Sequence, residues 1–513
     1  MVKAKETGDP AGYTLKAVID IGSTSIRMVV AQVHSGGSFE TLDALSQNVA
    51  IGSDTFTRGR ISRGTISDAV KVLRNFSAIL DEYGIDVRNG VRAVATSAVR
   101  EARNRDELLD RIEMATGIMV EVIAGMEVNR LTFLAIQPVL EANSVLRKDR
   151  LLVAEVGGGS TELLGMEAAR VSFAHTYRLG SHRLRETMDD QQGSESRKRE
   201  VLEAEIELIV RQCRDTVRPD RSDVSMLLLG GEARLAAKLS KADLTERSLV
   251  HLKVSDFARL TERVLKMEVE QIVRTYNLHH EQAQTLGPAL LAYLRLANAF
   301  KLKKVYICGV SLRDGLLAES AAGGVWSADF VEQILHSVRE VGKRYQLDQA
   351  HADCVAGLSK LLFRAMKSEH RLGYRYEVML TVAAQLHDVG MFIGSSSHHK
   401  HSKYIIENSE IFGLGEEDIR LASLVARYHR RAVPKETHPG YESLQREERL
   451  VVNKLAAILR AADALDRSHT QLINNVDVVV GEEQVVLEVK SPGDLSAEKR
   501  ALAIKGKLFE NVY

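Results

Sequence analysis

Two short stretches decide how this chain reads: Val18-Ile19-Asp20-Ile21-Gly22-Ser23-Thr24-Ser25, and Val153-Ala154-Glu155-Val156-Gly157-Gly158-Gly159-Ser160-Thr161. Each is an apolar strand run carrying one acid and ending in a turn of Gly, Ser and Thr. The acids, Asp20 and Glu155, lie 135 residues apart, a plausible domain length. Each copy runs on into a second apolar strand, IRMVVAQV (26–33) and ELLGM (162–166), so each reads as a hairpin. Glycine removes Cβ from the approach path, which lets backbone N–H groups and hydroxyls converge on phosphate oxygens. Two such turns facing each other would grip a chain of phosphates from both sides.

Outward from these hairpins, residues 16–320 alternate short apolar runs with amphipathic segments, the mark of α/β layers. Strands are expected at AVIDI (17–21), VRAVAT (91–96), VEVI (120–123), LLVAEV (151–156), SMLLL (225–229) and KVYICG (304–309). Helices are expected near 68–83 and 199–217 from their 3.6-residue spacing. MLLLGGEAR (226–234) runs a strand through Gly230 and Gly231 into a helix, whose N-terminus attracts anions. CGVSLRDGLL (308–317) repeats that theme. From about 328 to 470 the chain reads as helices, and six of the 16 histidines crowd into 387–438. A hairpin is expected at 476–489, then a short helix and a last strand. The expected organisation is a flexible N-terminus at 1–14, a first lobe at 15–138, a second at 139–322 and a helical domain with a C-terminal α+β extension at 323–513. Each lobe is expected to hold a five-stranded mixed sheet.

Composition narrows the class. Acids and bases balance at 69 each, so nothing global marks a nucleic-acid coat or a membrane-surface protein. Hydrophobic content of 45% is that of a globular chain. No apolar run nears the ~20 residues of a membrane helix, and the N-terminus lacks an apolar signal segment. Three scattered cysteines make no disulfide framework. A cytoplasmic protein, without nucleic-acid or membrane partners, is expected.

VIDIGSTSIRMVV, RAVATSAVREARN (92–104), VIAGMEVNRL (122–131), VAEVGGGSTELL (153–164) and YRLGSHRLRE (177–186) resemble, in order, the motifs of the exopolyphosphatase and guanosine pentaphosphate phosphohydrolase family. QLHDVGMFIG (385–394), HHKHSKYIIENSEIFGL (398–414) and RYHRRAVP (427–434) extend the resemblance into the histidine-rich part. It implies a duplicated, actin-like (ribonuclease H-like) α/β fold with its site between two lobes, followed by an all-α domain like that of the HD phosphohydrolases. It implies Mg²⁺ as cofactor, inorganic polyphosphate or guanosine pentaphosphate or tetraphosphate as ligand, and a homodimer. Asp20, Gly22, Ser23, Gly157, Gly158, Gly159, Ser160, Thr161 and Glu162 match positions that contact phosphate or magnesium, and Gly230 and Gly231 join them as a further anion turn. Glu155 and Glu162 are the expected magnesium ligands. Arg100 matches an arginine near the terminal phosphate, where a guanidinium makes bidentate contacts.

Two positions depart from the pattern. The carboxylate that serves as general base falls on Val128, leaving Glu127 as the neighbouring candidate, and the usual aspartate before the second turn is Glu155. Loss of a general base costs ~10²–10⁴ in rate. In the helical part, the order His351, His387-Asp388, Asp463 resembles the metal quartet of HD phosphohydrolases, a donor set suited to a transition metal. These four are expected to converge, with His399, His401 and His429 as further candidates.

The leading expectation is an exopolyphosphatase that releases terminal phosphate by water attack in the interlobe cleft. Guanosine pentaphosphate hydrolysis uses the same bond type. Val128 favours a weakly active sensor of polyphosphate or guanosine tetraphosphate instead. A third reading places hydrolysis at the HD-like quartet. A sugar kinase lacks support, because no separate sugar-binding motif is found.

Overall fold

The computed structural model describes residues 13–34, 38–147, 150–190, 195–217, 224–245, 248–322, 326–481, 483–490 and 493–513. The chain forms two compact units that part after Val325.

The first unit contains two sheets of related topology. Strands β1 (Tyr13–Ile21), β2 (Ser25–His34), β3 (Phe39–Asn48), β4 (Val91–Ala95) and β5 (Val120–Val122) lie in the order β3-β2-β1-β4-β5. β1 pairs antiparallel with β2 and parallel with β4. The second sheet is built from β6 (Arg150–Val156), β7 (Thr161–Glu167), β8 (Arg170–Tyr177), β9 (Val224–Leu229), β10 (Leu249–Lys253) and β11 (Lys304–Cys308). Its order is β10-β11-β9-β6-β7-β8, with β6 antiparallel to β7 and parallel to β9. Five of its strands repeat the first sheet, and β10 adds a sixth at the edge. The second lobe is therefore six-stranded, not five-stranded. β10 escaped the sequence reading because Leu249–Lys253 (Leu-Val-His-Leu-Lys) is a short edge strand with neither a sustained apolar run nor a full alternation.

The central strands are continuous apolar runs because helices cover both faces. Ala17, Ile19 and Ile21 pack with Leu73, Phe76 and Leu80 of helix Arg63–Glu82. Val18, on the opposite face, packs with Val94, Val128, Leu131, Leu312 and Leu316. Helix Gly125–Ala142 thus covers the first sheet, and the expected lobe break at 138 falls inside it. Helix Leu312–Ala321, expected in the second lobe, also packs on this side of the first sheet and on β1. The expected flexible segment ends sooner than position 14, since Tyr13 already begins β1; residues 1–12 lie outside the described residues.

The second unit, Trp326–Tyr513, is helical. Its centre is helix Arg446–Ala464, buried almost continuously from Val451 to Ala464 except at Asn453 and Lys454. β12 (Asp477–Val480) and β13 (Val485–Glu488) make the expected hairpin. The expected last strand is absent: Ser496–Lys505 and Lys507–Val512 are helices that pack on Arg446–Ala464. Burying Ala501 and Leu508 on that helix outweighs any local preference for strand. Among the described residues, no helix is long and apolar enough to cross a membrane.

Candidate functional site

The repeat holds to the level of single hydrogen bonds. Gly22 N–H donates to the Ser25 carbonyl at 3.0 Å, and Gly157 N–H donates to the Ser160 carbonyl at 2.8 Å. Each turn closes its hairpin in the same way, so each acid acquires an equivalent cross-strand neighbour. In the first lobe Asp20 faces Arg27, and in the second Glu155 faces Glu162. One pair attracts and the other repels. Asp20 lies 4.0 Å from Arg27 and 3.5 Å from Arg313. Burial pushes the Glu155 carboxyl up, and the Asp20 charge adds to the effect against the pull of Arg234. Burial, then the Glu155 charge, pushes Glu162 up to about 7, although Ser160 donates to it at 2.5 Å. Glu232, which sequence reasoning missed, is also raised by burial. This surplus of crowded carboxylates is the electrostatic condition that a divalent cation relieves.

These groups line one cleft of about 430 Å³, together with Asp20, Gly22, Ser23, Gly157, Gly158, Ser160, Gly230 and Gly231. The two turns touch: a Cβ on Gly158 would lie 2.5 Å from the Ser23 Cβ. Replacing Gly158 by Ala therefore has to push the turns apart. A displacement near 1 Å is expected to cost on the order of 10² in kcat/KM for a phosphate substrate, measured by phosphate release. An unchanged kcat/KM would show that the turns do not act together. Gly230 has φ +98, open to glycine and strained for other residues, and it starts helix Gly231–Leu239. Behind the turns, the buried Tyr293 hydroxyl donates to the Leu229 carbonyl (2.5 Å) and accepts from Val156 N–H (2.8 Å). One phenol thus ties the ends of β9 and β6. Gly157 and Gly158 carbonyls accept from Ser181 and His182 N–H, both at 2.9 Å, which anchors the second turn to helix Ser181–Asp190. Burial lowers His182 to about 4, keeping it neutral beside the turn.

Arg100 reaches the cleft from helix Ser97–Glu101 and donates to the Ile123 carbonyl at 2.6 Å. Arg27, Ser97 and Lys238 also line the cleft; none was singled out from sequence, because lone surface-type residues carry no spacing signal. Gly159 and Thr161 do not line it. Gly159 packs against Phe56 and Ser97, and the Thr161 hydroxyl is bonded to the Leu179 carbonyl. They brace the turn from behind.

Val128 does line the cleft, on the first turn of helix Gly125–Ala142, while Glu127 does not. Glu127 accepts from Arg130 at 2.7 and 2.6 Å and lies 3.4 Å from Arg92; both arginines also pair with Glu319. The expectation that Glu127 takes over as base is thereby corrected: its carboxylate is held by two guanidiniums away from the cleft. Glu127→Ala is expected to cost ~1–3 kcal/mol of stability, because Arg130 is buried and loses a partner, without changing turnover per folded molecule. Thermal melts and phosphate release check this, and a loss of turnover with the melt unchanged would reverse the assignment.

In the second unit the structure brings His351, His387, Asp388 and Asp463 together. His351 Nε2 and His387 Nε2 lie 3.8 and 4.0 Å from Asp463 Oδ1, and His387 Nε2 lies 3.7 Å from Asp388 Oδ2. Burial lowers both histidines, so neutral imidazoles face the carboxylates. His398, His429 and His469 join the cluster, whereas His399 and His401 contribute no donor to it. Lys505 Nζ is bonded to Asp463, a contact that sequence could not show.

A profile of the Ppx/GppA phosphatase family matches residues 29–322, and one of domain III of the same family matches 335–504. A guanosine-5'-triphosphate,3'-diphosphate pyrophosphatase of Aliivibrio fischeri is 23% identical over 447 residues, 86% of each chain. Among solved structures, an exopolyphosphatase from Cytophaga hutchinsonii superposes with a TM-score of 0.55 at 19% identity, covering 61% of this chain and 99% of that one. The Aquifex aeolicus Ppx/GppA member gives 0.51 at 22% identity, covering 61% and 98%. Those two structures support the duplicated α/β fold, and the profiles span both compact units. With paired glycine turns in the first unit and a helical second unit matched in sequence, the chain belongs to the Ppx/GppA phosphatase family.

Proposed function

We propose that the interlobe cleft binds the end of a linear phosphate chain and slowly hydrolyses its terminal phosphoanhydride. The observation that carries this reading is the repulsive Glu155–Glu162 pair beside two touching glycine turns. Backbone N–H groups of the turns, with Ser23 and Ser160, would hold phosphate oxygens. Arg100 would neutralise charge on the transferred phosphoryl, an interaction that strengthens as the transition state spreads negative charge. Glu155 and Glu162, with Asp20 nearby, would hold magnesium, which supplies further neutralisation of the phosphate oxygens. No carboxylate stands at 128, so the attacking water lacks a dedicated base on that side and turnover is slow. The same vacancy of function favours a second reading: a sensor that binds polyphosphate or guanosine tetraphosphate with little hydrolysis. Guanosine pentaphosphate is the competing substrate, on the strength of the Aliivibrio relative.

The test is Mg²⁺-dependent phosphate release from long-chain polyphosphate and from guanosine pentaphosphate, with wild type and Arg100→Ala. Arg100→Ala is expected to weaken both affinity and turnover. Tight binding without release would select the sensor. Rapid release indifferent to Arg100→Ala and Glu155→Gln would remove the cleft from the mechanism.

A further inference from the structure

Beside the four residues that resemble the HD quartet, three other donor atoms come closer together. Asp388 Oδ1 lies 3.2 Å from His398 Nε2 and 3.3 Å from His429 Nε2, and the two nitrogens are 3.1 Å apart. This is a nearly equilateral triangle. Ligands ~2.0–2.1 Å from a tetrahedral metal stand ~3.3 Å from each other, and slightly closer around an octahedral one. The separations of 3.7–4.0 Å within the quartet fit such bond lengths less well.

The protons support the same conclusion. His398 Nδ1 is 3.0 Å from the Ser395 carbonyl and His429 Nδ1 is 2.6 Å from the Ala426 carbonyl. A carbonyl only accepts, so each ring carries its hydrogen on Nδ1 and turns an Nε2 lone pair inward. His387 Nδ1 is fixed likewise on the Ala384 carbonyl at 2.7 Å, and His351 Nδ1 on Asp466 at 2.8 Å. This second layer orients metal-binding imidazoles. Asp388 Oδ1, His351 Nε2 and His387 Nε2 are buried without a hydrogen-bond partner among the described residues. Lone pairs thus converge with no donor to separate them, except where Lys505 meets Asp463. Converging lone pairs at 3.1–3.3 Å repel unless a cation stands between them.

The fold holds this arrangement firmly. Gly390 has no room for a Cβ, which would lie 2.2 Å from the His398 carbonyl oxygen, so helix His398–Glu407 docks directly beside Asp388. The Arg460 guanidinium donates to the Tyr428 and Ala432 carbonyls at 2.6 and 2.5 Å and fixes the loop that carries His429. The donors open on a cleft of about 320 Å³ that is also lined by Arg430, Arg431, Arg467 and Lys505.

We propose that Asp388, His398 and His429 hold a divalent transition-metal ion whose open coordination positions face this basic cleft and take a phosphate group. Two imidazoles and one carboxylate suit Zn²⁺, Mn²⁺ or Fe²⁺ over Mg²⁺. The four cations around the opening select an anion as the exogenous ligand, and phosphate matches the guanidinium fork. The assignment stands whether or not the interlobe cleft hydrolyses anything.

The full-length protein, stripped with chelator, is titrated with Co²⁺, and its visible d–d absorption reports occupancy and coordination. Wild type is expected to bind tightly, and His398→Ala/His429→Ala to lose one molar equivalent per chain. Asp388→Asn, which keeps the side-chain shape, is expected to weaken that equivalent at least ~10-fold, so the result does not depend on the double variant folding. Inorganic phosphate should shift the Co²⁺ spectrum of wild type. Wild type that binds no Co²⁺, or a folded double variant with unchanged stoichiometry, overturns the site and leaves a proton shared between His398 and His429. A Co²⁺ spectrum indifferent to phosphate overturns the assignment of the ligand.

Discussion

Glu162→Gln is expected to lower Mg²⁺-dependent phosphate release by roughly 10²–10³, the scale of removing one preorganised electrostatic group from a phosphoryl-transfer site. The amide keeps the shape and the Ser160 contact but removes the charge opposite Glu155. Burial and the Glu155 charge raise Glu162 from 4.5 to about 7, so near neutral pH the cation-free protein is partly protonated there. A divalent cation must displace that proton. Mg²⁺ affinity of the wild type is therefore expected to rise with pH through about 7, and Glu162→Gln should flatten this dependence. The sign for stability is opposite. The folded carboxyl holds its proton at pH values where the unfolded chain has lost it, so the contribution of Glu162 is full below 4.5 and is lost as pH rises to about 7. Saturating Mg²⁺ should cancel that decline. Mg²⁺ titrations by calorimetry and melts across this pH range test the account; pH-independent affinity in the wild type would sink it.

Val128→Glu is expected to act in the other direction. Val128 lines the cleft from the first turn of a helix whose Val128 and Leu131 pack in one apolar cluster with Val18 of β1 and Leu312. A carboxylate there would stand over the phosphate site and offer the attacking water a base, a gain of up to ~10²–10⁴ in turnover. The cost is the apolar contact of the isopropyl group with its neighbours, ~1.5–3 kcal/mol in stability. The effects separate in measurement: kcat should rise while the melting temperature falls. A lower melting temperature with unchanged kcat would mean that the water is activated elsewhere in the cleft.

Sequence alone determined the two hairpins, their duplication 135 residues apart and the helical second unit; the strand order, with β10 as a sixth strand, came from the structure. The features legible in sequence are local. An apolar run, an acid and a glycine turn fix each hairpin within about 16 residues, and the closing hydrogen bond then sets the pairing of Asp20 with Arg27 and of Glu155 with Glu162. The ordered motifs also pointed to His351, His387, Asp388 and Asp463 as one cluster. Only the tertiary structure decided which neighbours these groups meet. Glu127 and Val128 are adjacent in sequence, but a helix turns adjacent side chains ~100° apart; packing put valine into the cleft and left glutamate with Arg92 and Arg130. His398, His399 and His401 are indistinguishable as a histidine run. The docking of their helix against Gly390 brings His398 Nε2 to Asp388, while His399 and His401 stay out of the donor set. The C-terminal segment, expected as a short helix and a last strand, is two helices that pack on Arg446–Ala464, and the first of them carries Lys505 to Asp463. Hairpins are governed by forces between near neighbours in the chain. Donor sets and ion pairs depend on side chains from distant segments, whose meeting is settled by the burial of everything else.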